Sequence, residues 1–319
     1  GGLGTVVAVA AVTARAAERR RRRHAWLSDT EPLGPKGCSL PPGRELVVPT
    51  DDGAHLAVTV AGPEDGPTVV LPHCWTGTRE TWGAVARRLV LGGHRVVLYD
   101  QRGHGRSTAP DGHVPTIPQL GHDLRAVIDA TDSTDVLLAG HSMGGMTIQS
   151  YALEHPDHFA AHVRGAVLVA TAASVAPDDA YGRHAAQMLA WLEAGHDMAR
   201  IAALPLPRLV GRGALPAGVQ LATHCQARVH GATWRRALQA LAGFERRAAL
   251  PQLAVPTLLV AGGQDRLTPP AVLREMAAQI SGARCEVLAD AGHLPPLERP
   301  DEFDQLLLPF LRHARAWRH

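Results

Sequence analysis

The chain has 319 residues, 45% of them hydrophobic, which supplies apolar surface for a sizeable core and excludes a largely disordered polypeptide. Its 32 basic and 30 acidic residues nearly cancel, so no nucleic-acid partner is expected. Cys38, Cys74, Cys225 and Cys285 lie far apart, with no CxxC pair and no Cys/His spacing of the zinc type, which argues against a disulfide scaffold or a structural metal.

Residues 1–43 read as leader and linker. The apolar stretch Leu3–Ala17 precedes the run Arg19–Arg23, the reverse of a secretory signal, in which positive charge comes first. Two readings stay open. An apolar stretch continuing upstream would anchor the chain in a membrane, with the arginines and the domain on the cytoplasmic side. Otherwise the leader has no membrane role. The expected location is therefore cytoplasmic, with membrane association through the leader as the open alternative. Pro32, Pro35, Pro41 and Pro42, with Gly34, Gly37 and Gly43, mark the linker.

From Arg44 onward, short aliphatic runs alternate with amphipathic stretches. The runs predict strands at Glu45–Val48, Leu56–Ala61, Thr68–Leu71, Arg95–Tyr99, Asp135–Ala139, Ala166–Ala170, Thr257–Ala261 and Arg284–Leu288. The stretches predict helices at Thr81–Leu91, Ile117–Ala130, Met143–His155, Pro270–Ser281 and Asp301–His313. This alternation implies an α/β fold, a mostly parallel eight-stranded sheet flanked by helices, with an antiparallel start. Between Ser174 and Leu250 the strands stop, and helical patterns at Asp179–Gly195, Leu215–His230 and Thr233–Arg247 predict an inserted cap over the strands' carboxyl ends. The expected organisation is a core over 44–173 and 251–319, interrupted by a helical cap over 174–250.

Gly140-His141-Ser142-Met143-Gly144 joins a predicted strand to a predicted helix. A serine on so sharp a turn needs small neighbours for the turn to close, and the pattern marks Ser142 as a nucleophile. A serine hydroxyl needs a base and a group to hold that base. His293, in the loop after the last predicted strand, fills the first role. Asp265, in the loop after Thr257–Ala261, fills the second, and the order Ser, Asp, His is the one this fold uses. Asp290 reads as a turn former. The oxyanion donors are expected to be the backbone N–H groups of Met143 and Trp75, with Cys74 as the fallback for the second.

With these residues the chain resembles the α/β-hydrolase superfamily, in particular its capped members related to monoacylglycerol lipases, small-molecule esterases and cofactor-free perhydrolases. Gly140–Gly145, Asp100–Ser107, Gly263-Gln264-Asp265 and Ala291-Gly292-His293 carry the resemblance, which runs from about Arg44 to the C-terminus and leaves the cap unmatched. It implies the fold, the triad and an acyl-enzyme route; separately, no cofactor or metal is expected. In that family Asp100–Ser107 braces the site, so Arg102 and His104 are left out of the chemistry. Cys74 stands where the family usually has glycine, and Ser142 argues against the relatives that use an aspartate nucleophile.

The expected substrate is a small-molecule ester with a hydrophobic or lipid-like acyl group, on the strength of Met188, Leu189, Trp191, Leu192, Ile201, Leu204 and Leu206 in the cap. Thioesterase, perhydrolase, acyltransferase and cyclase chemistry remain open on the same triad, as does a non-catalytic binding role. His104, His113, His122 and Asp123 lack the helical spacing of a metal site. The sequence does not set the oligomeric state.

Overall fold

A computed structural model describes residues 39–110, 116–176, 180–195, 209–229, 231–241 and 243–316. The leader through residue 38 lies outside the described residues, and the membrane-anchor expectation with it. Among the described residues no helix is long and apolar enough to cross a membrane.

Eight strands form one sheet: β1 (Gly43–Pro49), β2 (His55–Ala61), β3 (Thr68–Leu71), β4 (Arg95–Tyr99), β5 (Val136–His141), β6 (Val163–Val169), β7 (Thr257–Gly262) and β8 (Arg284–Leu288). Their order is β1-β2-β4-β3-β5-β6-β7-β8. β2 pairs antiparallel with both β1 and β4, and every later pairing is parallel.

Successive side chains of a strand face opposite sides of the sheet. Thus Val70, Val97 and Tyr99 meet one layer of helices, while Val69, Leu71, Val96 and Leu98 meet the other. The first layer comprises α2 (Ile117–Ala130), α3 (Met143–Glu154), α4 (Pro156–His162) and α8 (Pro270–Ala277). The second comprises α1 (Gly83–Leu91) and α10 (Pro300–Ala316). α2 begins where the sequence provides a reciprocal cap: Thr116 accepts from the Gln119 N–H, and the Gln119 side chain accepts from the Thr116 N–H.

Between β6 and β7 lie α5 (Ala180–Glu193), α6 (Pro216–Arg228) and α7 (Gly231–Leu241). α5 packs on α7 through Ala185, Met188 and Leu192 against Trp234 and Leu238. α6 packs through Leu221, Ala222 and Cys225 on Leu294 and Leu297, beside the short helix α9 (Pro295–Glu298). These contacts fasten the inserted helices to the loop that follows β8, at the carboxyl edge of the sheet.

Several elements differ from expectation, among them these three. The helix predicted to run to Arg247 ends at Leu241, and Gly243, at φ 75°, takes the left-handed conformation that terminates helices. α4 was not expected, although Pro156 at its first position is a helix-start signal. β6 begins at Val163, directly after α4, three residues before its predicted start.

Candidate active site

Ser142 sits between β5 and α3 with φ 52° and ψ −112°, a conformation that costs a non-glycine residue on the order of 1–3 kcal/mol. The flanking glycines allow the elbow to close. A Cβ on Gly140 would lie 2.3 Å from the Gly144 carbonyl oxygen, and one on Gly144 would lie 2.1 Å from that of Pro72. The turn therefore presses α3 against the loop after β3.

The structure brings Ser142, His293 and Asp265 together, each almost fully buried. His293 Nε2 lies 3.0 Å from Ser142 Oγ, and His293 Nδ1 lies 2.8 Å from Asp265 Oδ2. With Nε2 accepting from the serine hydroxyl, Nδ1 carries the proton and donates it to the carboxylate. Asp265 also accepts from the Leu267 and Thr268 N–H groups and from the Thr268 hydroxyl, at 2.8, 3.1 and 2.7 Å. Burial alone would raise its pKa, but His293 and the Thr268 hydrogen bonds outweigh that and hold it below the ordinary carboxylate value.

Sequence reasoning missed two residues here. Glu298 is fully buried on α9. Its carboxylate accepts from the N–H groups of Gly292 and Leu294, which flank His293, and from that of Gly211 in the insert, at 2.8, 2.8 and 2.6 Å. One side chain thus ties the histidine loop to the insert. Burial raises its pKa despite these donors. A carboxylate directly after the apolar run Leu294-Pro295-Pro296-Leu297 was the available signal. Tyr181, on α5, brings its hydroxyl to 3.5 Å from Ser142 Oγ, and no motif in the insert marks it.

The loop holding Trp75 is fixed from behind. His73 Nε2 accepts from the Gln101 N–H at 2.8 Å, which leaves Nδ1–H to donate to the Cys74 carbonyl at 2.7 Å. Gln101 Nε2 donates to the His73 carbonyl, and Gln101 Oε1 accepts from Thr147 on α3. His104 Nε2 accepts from the Thr76 N–H, while Arg102 is clamped by Asp123 and Asp52. The Asp100–Ser107 segment accordingly braces this loop and stays away from Ser142. Met143 opens α3, so its N–H has no acceptor within the helix. The Trp75 N–H finds none among the described residues.

The residues weighed for a metal do not converge. His122 bonds to His155, Asp123 holds Arg102, His104 lies on the Trp75 loop, and His113 is outside the described residues. His141 does not touch the serine hydroxyl. Its Nε2 meets the His293 carbonyl at 2.7 Å, and burial first, then the neighbouring His293, pushes its pKa down to about 3.

Ser142 and His293 open into a cavity of about 40 Å³ walled by Trp75, Cys74 and Leu267 from the core and by Tyr181, Met188, Gln226 and Trp234 from the insert. Cys74 is 8% exposed, and burial, with Cys225 nearby, pushes its thiol up to about 12, so it stays protonated. Of the apolar insert residues expected to hold an acyl chain, Met188 lines the cavity. Leu192, Leu189 and Trp191 pack within the insert, and Ile201, Leu204 and Leu206 lie outside the described residues. A larger concavity of about 1160 Å³, at the opposite ends of the strands, is lined by residues such as Arg95, Asp132 and Arg164 and, among the described residues, by no histidine that could serve as a base.

A family model described as serine aminopeptidase, S33, matches residues 64–299. The chain belongs to this family of α/β-hydrolases. A Variovorax paradoxus protein provisionally named carbamate hydrolase is 30% identical over 82% of this hydrolase and 97% of its own length. The 3-oxoadipate enol-lactonase 1 of Acinetobacter baylyi is 27% identical over 84% of this hydrolase and 97% of its own length. A crystal structure of a hydrolase from Pseudomonas aeruginosa superposes with a TM-score of 0.74 at 29% identity, covering 84% of this chain and 98% of that one. The chain is a hydrolase of the ester-cleaving α/β type.

Proposed function

We propose that this hydrolase cleaves a carboxylic ester with a compact, mainly apolar acyl group through an acyl-enzyme on Ser142. The observation that carries the reading is the chain of contacts from Ser142 Oγ to His293 Nε2 at 3.0 Å and from His293 Nδ1 to Asp265 Oδ2 at 2.8 Å, on a strained elbow. His293 takes the hydroxyl proton as Ser142 Oγ attacks the ester carbonyl, and the backbone N–H groups of Met143 and Trp75 receive the oxyanion. Collapse breaks the bond to the alkoxy group, which leaves with the proton from His293. Water then enters, gives a proton to His293 and attacks the acyl carbon. Release of the acid returns the proton to Ser142. Asp265 keeps the imidazole in the tautomer this needs and remains ionised.

The size of the acyl group is read from the cavity. Met188, Leu267, Leu294 and Trp234 favour apolar surface, but about 40 Å³ suits a short group and disfavours one of lipid length. The test is a series of p-nitrophenyl esters from acetate to dodecanoate. Turnover is expected to peak at the short esters, and Ser142→Ala is expected to lower kcat by a factor on the order of 10⁶. Preference for dodecanoate would overturn the compact site, and a loss of less than about 10³-fold in the Ser142→Ala protein would overturn the nucleophile.

A further inference from the structure

The reaction accounts for the polar atoms at one end of the cavity and leaves those at the other unexplained. Trp75 and Trp234 both line it, and each indole Nε1 is buried with no hydrogen-bond acceptor among the described residues. Trp234 is 1% exposed. Gln226 Oε1, in the same wall, is buried with no donor among the described residues. An indole nitrogen only donates, and a buried donor left unpaired costs far more than a paired one contributes.

Contact between the two rings does not account for both donors. Their centroids are 4.8 Å apart at an interplanar angle of 73°, an edge-to-face pair. In that arrangement one ring supplies the edge and the other the face, so an N–H to π contact satisfies at most one nitrogen.

The charge of the wall narrows the occupant. Among the described residues no arginine or lysine lines the cavity, and its ionisable side chains include those of Cys74, Tyr181, His184 and His293. Burying a carboxylate here is costly unless His184 takes up a proton to pair with it. A ketone oxygen fits instead, because it is neutral and its two lone pairs can receive both indole donors.

We propose that Trp75 and Trp234 form a subsite for a neutral carbonyl oxygen on the acyl group, so that the preferred substrates are short oxo-acyl esters. The proposal rests on Ser142 being the nucleophile and adds what the acyl group must carry. Each half of the contact is checked by its isostere. A methyl branch in the substrate replaces the oxygen, and Trp234→Phe removes the N–H while keeping an aromatic ring.

The experiment compares p-nitrophenyl 3-oxobutanoate with 3-methylbutanoate, and 4-oxopentanoate with 4-methylpentanoate. Each rate is normalised to the ester's own reaction with hydroxide, and the hemisuccinate ester serves as the anionic arm. For the wild type, kcat/KM is expected to favour an oxo ester over its methyl partner about tenfold, and Trp234→Phe is expected to reduce that ratio at least about threefold. Trp75→Phe reads the same ratio should Trp234→Phe fail to fold. A wild-type ratio of one or below, or a ratio unchanged in the folded variants, overturns the subsite and leaves the nucleophile standing. Preference for the hemisuccinate overturns its neutrality. Absence of turnover on every ester overturns the ester-hydrolysis reading and the subsite with it.

Discussion

The two walls of the cavity differ in how their polar groups are held. On the core side each reacting group is fixed by another: Ser142 by His293, His293 by Asp265, and Asp265 by Leu267 and Thr268. On the insert side Trp234 and Gln226 have buried polar atoms with no partner among the described residues, and the Tyr181 hydroxyl lies 3.5 Å from the nucleophile. A wall whose hydrogen bonds are closed within the protein is preorganised for one reaction. A wall with open hydrogen bonds is built to be completed by a ligand. Reaction type thus resides in the core, and substrate choice in the insert together with Trp75 of the core wall, whose indole N–H is likewise open among the described residues.

The largest expected effect lies in the core wall. Asp265→Asn keeps the shape but favours the wrong imidazole tautomer, and kcat is expected to fall about 10⁴-fold. A loss below tenfold, in steady-state assays with a short ester, would separate Asp265 from the chemistry. Glu298→Gln leaves one acceptor oxygen where three backbone donors converge. It is expected to lower unfolding stability by about 1–3 kcal/mol in urea melts, and turnover with it. Unchanged stability would show that the His293 loop is held by other contacts.

Acid should also act on the core wall. His73, His104 and His141 are buried, and burial is the main cause lowering the pKa of each, with His141 pushed down to about 3. In the unfolded chain they take up protons near pH 6.5, so their contribution is fully present above that pH. It declines as the pH falls below that, for His141 until about pH 3, at up to about 1.4 kcal/mol per pH unit for each. Urea midpoints at pH 8 and pH 5 measure this, and equal midpoints would contradict it. The smallest effect belongs to the insert wall. Tyr181→Phe removes a hydroxyl 3.5 Å from Ser142 Oγ, and kcat/KM is expected to fall about two- to tenfold. A drop on the scale of Asp265→Asn would make the insert part of the reaction and erase the contrast between the walls.

The same contrast governs how much the sequence reveals. Continuous aliphatic runs such as Thr68–Leu71 mark strands because both faces of the sheet are covered, and the Ser142 elbow is legible because its glycines are sterically required. Asp265 and His293 follow once strand order is known, since each lies in the loop after its strand. Tyr181, Gln226 and Trp234 carry no such signature. A helical residue facing a cavity shares the periodicity of one facing a core, and only the packing of α5 and α7 separates Met188 from Leu192. Glu298 is intermediate: its apolar surroundings flag a buried carboxylate, but the three N–H groups it gathers come from Gly211, Gly292 and Leu294, two of them beside His293 and one in the insert.

The account stands most directly on whether the Ser142 hydroxyl is the activated nucleophile. Folded protein treated with a fluorophosphonate and mapped by peptide mass spectrometry should carry one phosphonyl adduct, on Ser142, and the adduct should disappear in His293→Ala. An unlabelled Ser142, or label on another residue, would contradict it.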